Sequence, residues 1–396
     1  MLVNLNDIVQ QANRLKPTAT VVRQRNGDIK LERSELLHET QRCEAIEASR
    51  RAGKVRGESS DAARHSGSLC RLASGATRQP KNVCHDYVPR TYTLAEMADA
   101  KKELEETGLV VFRDVIDDDL QARYTDAMWS WLYRRSGQKV LRNDSKTWEN
   151  SKWPGAFLPG IQSEDGLCHL PIVWEVREKA ASFFEGMYST SELLVSFDGA
   201  NIMRPTKGPH GSAKYLTPRH WLHVDSDRSI PAELSGHQGV VSISGMDGTD
   251  HEGGCFQAVL GSHIDDFQNF FRDTWSNGNG NVSLPLSETN DYLLVPYIHE
   301  LRTRMSRVIA PDRSLIIWKN EIFHCNSPNF SDRFRFAQYV NCYPSVNVSE
   351  KTRRERMIAF SQGIGSTHRV DVFRPSTEPC RNFVPPHLSE KQQALL

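Results

Sequence analysis

Arg219-His220-Trp221-Leu222-His223-Val224-Asp225 and Ile316-Ile317-Trp318-Lys319-Asn320-Glu321-Ile322-Phe323-His324 are the two stretches whose reading decides the fold. In an extended strand, residues two apart point to the same face. His223 and Asp225 therefore present an imidazole and a carboxylate to one point. A third ligand is needed to hold a metal there, and His324, just beyond an apolar strand, is the best candidate. Two histidines and one carboxylate on one face of an octahedron leave positions open for other ligands, the arrangement of non-haem Fe(II) oxygenases. Taken alone, an H-x-D triplet is weak evidence, and a buried histidine satisfied by backbone groups is the plainer reading.

The residues that follow strengthen the metal reading. The chain continues Cys325-Asn326-Ser327-Pro328-Asn329-Phe330-Ser331-Asp332-Arg333-Phe334-Arg335, which places Arg335 eleven positions after His324. Arg335 opens a strand, Arg335-Phe336-Ala337-Gln338-Tyr339-Val340, whose alternation puts Arg335, Ala337 and Tyr339 on one face. A fixed guanidinium on that face can grip a carboxylate through paired hydrogen bonds. The small Ala337 beside it favours a cavity. Arg333 competes for the same role, and a surface salt bridge is the plainer use of either arginine.

These blocks resemble the phytanoyl-CoA dioxygenase family of Fe(II)/2-oxoglutarate-dependent oxygenases. Arg219–Asp225 is similar to the family's R-H-x-L-H-x-D form. Gly253-Gly254-Cys255-Phe256-Gln257-Ala258-Val259-Leu260-Gly261-Ser262-His263 resembles its N-G-C-L-x-x-x-P-G-S-H strand and turn, with Gly253 where Asn is usual and Leu260 where Pro is usual. The His324 to Arg335 block has the family's spacing, and Leu104–Phe112 resembles its opening strand. The resemblance spans residues 93–345, concentrated in the blocks. It implies a mainly β fold with flanking helices, built on a double-stranded β-helix (jelly-roll) core. It further implies that His223, Asp225 and His324 bind Fe(II), that Arg335 binds the distal carboxylate of the co-substrate 2-oxoglutarate, that Asn326 lies near that carboxylate, and that O2 is consumed. His263 then has a structural part, fixing its turn. Because Asp225 is present, where related halogenating enzymes carry a small residue, hydroxylation with release of succinate and CO2 is the expected reaction. Desaturation or ring closure uses the same ligands.

Around these blocks the chain divides in two. It has 396 residues and is formally neutral, with 49 basic and 49 acidic side chains. Residues 1–90 hold a net charge of +6 and residues 91–396 a net charge of −6, and no Phe, Trp or Tyr occurs before Tyr87. The hydrophobic fraction of 38% is low, and the shortage lies mainly in that first part. Residues 1–90 read as a polar, basic, partly helical extension, with helix formers over Leu31–Arg51 and a flexible connector from Gly57 to about Gly75. Residues 91–396 read as the oxygenase domain, with a helical and irregular tail from about 350. Within it, Thr93-Leu94-Ala95-Glu96 has the form of a capping box. A helix follows to Gly108, then the strand Leu109–Arg113, then a helix opened by Asp117 with Leu120, Tyr124, Met128 and Leu132 on one face.

Several functions are disfavoured. No G-x-S-x-G elbow and no G-x-G-x-x-G strand–turn–helix unit is present. The eight scattered cysteines form no C-x-x-C pair, which argues against a zinc site of paired cysteines and against a disulfide framework. Neutral charge and the lack of a basic–aromatic stripe weigh against nucleic acid. No apolar run is long enough to span a bilayer. Without a basic n-region and apolar core at the start, the expected location is cytoplasmic. A mitochondrial address is compatible with Leu2, Leu5, Val9, Ala12 and Leu15 sharing a helix face among arginines. The expected partner is a small-molecule substrate. An oxygenase acting on protein or nucleic acid, and a non-catalytic barrel used for binding, are the alternatives. Candidate substrate-lining residues are Asn201, Arg204, Trp221, Asp227, Arg228 and His251. The run Lys351-Thr352-Arg353-Arg354-Glu355-Arg356 could meet an anionic substrate, but the plainer reading is one solvated helix face.

Overall fold

Alternation within the strands builds the molecule. The computed structural model describes residues 20–23, 29–32, 85–155, 160–217, 222–225, 232–246, 253–264, 282–283 and 295–396. Two compact units divide the chain, one of residues 3–80 and 291–296, the other holding the remainder. In the first unit, β1 (Thr20–Arg23) and β2 (Ile29–Glu32) form an antiparallel hairpin. Leu31 and Glu32 are thus in a strand, not in the helix expected from Leu31 onward. The rest of that expected helix and the connector at 57–75 lie outside the described residues.

In the second unit the strands are β3 (His85–Tyr87), β4 (Thr91–Tyr92), β5 (Leu109–Phe112), β6 (Ile161–Gln162), β7 (Leu193–Val195), β8 (Ala200–Met203), β9 (His223–Val224), β10 (His237–Ser244), β11 (Phe256–Ala258), β12 (Val282–Ser283), β13 (Ser306–Val308), β14 (Leu315–Lys319), β15 (His324–Asn326), β16 (Arg335–Tyr339) and β17 (Cys342–Pro344). Helices are α1 (Met97–Thr107), α2 (Asp118–Arg135), α3 (Pro171–Tyr188), α4 (Ala232–Ser235), α5 (Val295–Arg304), α6 (Glu350–Gln362) and α7 (Glu390–Ala394).

A seven-stranded sheet runs β4-β5-β14-β10-β16-β8-β6, and a six-stranded sheet runs β12-β9-β15-β11-β13-β3. From β8 to β11, and again from β13 to β16, the chain passes back and forth between the two sheets. That is the double-stranded β-helix expected from the sequence. The period of two decides what each face meets. Leu109, Val111, Val240, Ile316, Trp318 and Ala337 of the larger sheet face Phe256, Ala258 and Val308 of the smaller one across a common core. Their neighbours Val110, Phe112, Val241, Ile243, Leu315, Ile317 and Phe336 pack outward against helices α1, α2 and α3 through residues such as Leu104, Tyr124, Met128 and Phe184.

The lead-in elements form as read. Thr93 and Glu96 make the reciprocal capping box. Gly108 closes α1 with φ +85, and its N–H donates to Leu104 O; a Cβ there would meet His263 Nδ1 at 2.7 Å. Asp117 caps α2 by accepting from Leu120 N. The basic run on α6 departs from the expected solvated face. Arg356 is 1% exposed, its Nη2 donates to Val195 O at 2.7 Å, and its guanidinium lies over the Phe197 ring. Among the described residues no helix is long and apolar enough to cross a membrane.

Candidate metal centre

Strand pairing brings the ligand candidates together. His223 on β9 and His324 on β15 are direct cross-strand partners, and Ala258 of β11 stands opposite His324 on the other side. The imidazole rings lie 4.2 Å apart between centroids. Asp225 follows β9, held by its own N–H on Asn320 O at 2.8 Å. Its Oδ1 is 3.7 Å from His223 Nε2, and its Oδ2 is 3.4 Å from His324 Nε2. One donor atom from each of the three residues lies within 4.8 Å of the others. Asp225 is 6% exposed and His324 5%, while His223 is only partly buried. An imidazole–imidazole–carboxylate set converging at this separation fits a divalent transition metal bound on one face.

The surroundings prepare these candidate ligands. His324 Nδ1 sits 3.0 Å from Ile322 O, so it takes the proton and leaves Nε2 as the lone-pair donor. Phe256 and Trp318 flank the His324 ring at 5.3 and 5.1 Å. Trp318 Nε1 donates to Asp225 Oδ2 at 3.0 Å. Burial alone would raise the Asp225 pKa, but His324, His368, His223 and the Trp318 hydrogen bond together bring it below the ordinary carboxylate value. Burial lowers the His324 pKa, with Asp225 opposing. The centre thus favours a carboxylate at Asp225 and a neutral imidazole at His324, the protonation states that metal binding requires.

Arg335 stands on the same inner face. It is fully buried and pairs with Met203 across β8–β16. Its Nη2 donates to Asn326 Oδ1 at 2.8 Å, and Asn326 Nδ2 donates to the Tyr339 hydroxyl at 3.2 Å. Its Nη1 lies 3.7 Å from Met203 Sδ, and its Nε has no partner among the described residues. No carboxylate among the described residues lies within ion-pair distance of it. Burial lowers its pKa. A buried guanidinium satisfied only by neutral groups is costly unless an anion joins it. The surface-salt-bridge reading of Arg335 does not hold. Asn326 orients the arginine directly, and Arg333 is only partly buried.

The remaining candidates divide. Asn201 is buried opposite Ala337, with Nδ2 3.5 Å from the Tyr339 hydroxyl and Oδ1 without a partner among the described residues. Arg204 is committed to Trp148 O and Asn150 Oδ1 and stacks over Trp153 and Tyr215. Trp221, Asp227, Arg228 and His251 lie outside the described residues. His263 Nε2 bonds Glu105 O at 2.9 Å, the structural role expected of it. Two residues near Asp225 were not read from the sequence, Trp318 and His368. Trp318 carried a signal, since alternation from Ile316 points it inward. His368 carried none.

With this geometry in place, the chain can be set beside known proteins. No protein-family model matches it. A curated relative, the Ava biosynthesis cluster protein O of Aspergillus versicolor, is 23% identical over 290 residues, covering 72% of this chain and 88% of that protein. Among solved structures, the epimerase SnoN in complex with Fe3+, alpha-ketoglutarate and nogalamycin RO is 13% identical, with a TM-score of 0.42 over 63% of this chain and 84% of that one. The non-haem alpha-ketoglutarate-dependent carbocyclase SnoK from nogalamycin biosynthesis is also 13% identical, with a TM-score of 0.37 over 62% and 82%.

Proposed function

We propose that the protein is a non-haem Fe(II)/2-oxoglutarate-dependent oxygenase that hydroxylates a C–H bond of a small molecule. The observation that carries this reading is the convergence of donor atoms from His223, Asp225 and His324 within 4.8 Å of one another. With iron and 2-oxoglutarate bound, such a centre couples oxidative decarboxylation of 2-oxoglutarate by O2, giving succinate and CO2, to oxidation of a C–H bond. His223 and His324 offer their Nε2 atoms as ligands, and Asp225 offers one carboxylate oxygen. Arg335, held by Asn326, which in turn donates to Tyr339, binds the distal carboxylate of 2-oxoglutarate. Phe256 and Trp318 wall the His324 side with apolar surface and keep water from it.

The retained carboxylate ligand supports hydroxylation. A small-molecule substrate is supported by the neutral overall charge and by a relative named for a biosynthesis cluster. We assign the activity to residues 91–396, with residues 1–90 as an extension. Anaerobically loaded protein, given O2 and a panel of metabolite classes, should release succinate well above its slow uncoupled rate with one class, and the product should gain one oxygen atom. Succinate release with a product that has lost two hydrogens instead would replace hydroxylation by desaturation or ring closure. No succinate with any class, or without substrate, would contradict the proposal.

A further inference from the structure

The C-terminal segment returns to the metal centre. After α6, residues 365–376 form a loop closed on itself by a bridge between Ser366 and Pro375, by Thr367 N–H on Arg374 O and by Ser376 N–H on Gly365 O. Ser366 N–H donates to Phe197 O at 2.9 Å, pinning the loop to the barrel. Arg369 Nε donates to Asp371 Oδ1 at 2.6 Å, and Thr352 Oγ1 donates to Asp371 O at 3.3 Å. Between these anchors sits His368. Its Nε2 is buried, makes no hydrogen bond among the described residues, and lies 3.9 Å from Asp225 Oδ1.

The two carboxylate oxygens of Asp225 are treated differently. Oδ2 accepts from Trp318 Nε1. Oδ1 faces His223 on one side and His368 on the other. His368 is no fourth ligand in this geometry. Two atoms bound to one metal at about 2.1 Å lie within about 4.2 Å of each other, whereas among the described residues only His223, Asp225 and His324 each bring a donor atom within 4.8 Å of the other two. The 3.9 Å separation is longer than a hydrogen bond, so the bond proposed here requires the ring to move closer to Asp225.

We propose that His368 is a positioning residue of the metal centre, its Nε2–H donating to Asp225 Oδ1 and holding the carboxylate in the orientation that binds metal. The C-terminal loop is then part of the centre. The proposal rests on His223, Asp225 and His324 being the metal ligands. Partners of this kind orient ligating groups, and their loss typically weakens metal binding by 10- to 100-fold.

The test is Fe(II) affinity of the full chain, measured anaerobically by competition with a chelator, for wild type, His368→Ala and His368→Gln. A glutamine amide N–H reaches close to the place of imidazole Nε2 and restores the donor. Affinity should fall at least about 10-fold in His368→Ala and return to within about 3-fold of wild type in His368→Gln. The melting temperature of the metal-free protein should be the same in all three. Unchanged affinity in His368→Ala, or equal losses in both variants together with a lower melting temperature, would overturn the proposal. Electron spin-echo spectra of the Cu(II)-substituted protein should count two imidazoles; a third that disappears in His368→Ala would make His368 a ligand and also overturn it. Wild-type protein that binds no Fe(II), or binding that survives His223→Ala, would instead defeat the ligand assignment itself.

Discussion

Trp318 Nε1 and Asp225 Oδ2 are joined by a 3.0 Å hydrogen bond. The bond ties the end of β14 to the carboxylate that faces His324. Trp318→Phe keeps an aromatic ring against Phe256 and His324 but removes the donor. Fe(II) affinity should fall about 10-fold, while the melting transition of the metal-free protein changes by only about 1 kcal/mol. Chelator competition and thermal unfolding of the same preparation separate the two effects.

Arg335 should govern co-substrate binding and little else. Arg335→Lys keeps a cation but loses the planar fork, and the 2-oxoglutarate KM should rise about 10-fold. Arg335→Met should raise it about 100-fold or more, the cost of truncating a buried charge contact. Fe(II) affinity measured without 2-oxoglutarate should stay within about 3-fold of wild type in both.

Gly254 tests the space around that arginine. A Cβ at this position would stand 2.9 Å from Arg335 Cδ and 3.0 Å from Met203 Sδ. Gly254→Ala should therefore displace the Arg335 side chain and raise the 2-oxoglutarate KM about 3- to 10-fold, leaving metal affinity unchanged. A KM equal to wild type would show that the arginine does not fill this space in the working enzyme.

His169 gives a pH dependence. It is 1% exposed, packed among Trp174, Phe197 and Phe360, and its Nε2 is 2.9 Å from Ile364 O. Burial, with Arg177 adding to it, pushes its pKa down to about 3. The folded protein holds it neutral while the unfolded chain protonates it near the ordinary value of about 6.5. The unfolded state thus binds the extra proton, and stability is lost as pH falls from about 6.5 towards the folded pKa, about 2 kcal/mol at pH 5 from this residue. His169→Gln keeps a donor for Ile364 O and does not titrate. Its stability difference from wild type should shift in its favour by about that amount between pH 7 and pH 5 in denaturant titrations.

What the sequence discloses about the site is what short-range geometry controls. His223 and Asp225 are two apart on one strand, and Arg335, Ala337 and Tyr339 alternate on another, so their shared faces follow from the pleat. The capping box at Thr93 and the α2 face through Leu120, Tyr124 and Met128 are equally local. Cross-strand register is not local. Nothing near Trp318 states that Asp225 will lie within hydrogen-bond reach, because that depends on how β9, β14 and β15 are set against one another. His368 is further removed, carried to Asp225 by a loop that Phe197 anchors. Arg356 looked like part of a solvated face because charge patterning does not see the carbonyls of Val195 and Leu396 that receive it. Leu31 and Glu32 sit among helix formers yet pair as a strand, a case of pairing overriding propensity.

The central claim is most directly tested by anaerobic titration of the metal-free protein with Fe(II) in the presence of 2-oxoglutarate, followed by visible absorption. One iron per chain should bind and produce a charge-transfer band that requires 2-oxoglutarate. The band should vanish in His223→Ala, Asp225→Ala and His324→Ala, and it should need far more 2-oxoglutarate in Arg335→Met. A band that persists in the His223→Ala/His324→Ala double variant, or wild-type protein that shows none, would contradict the account.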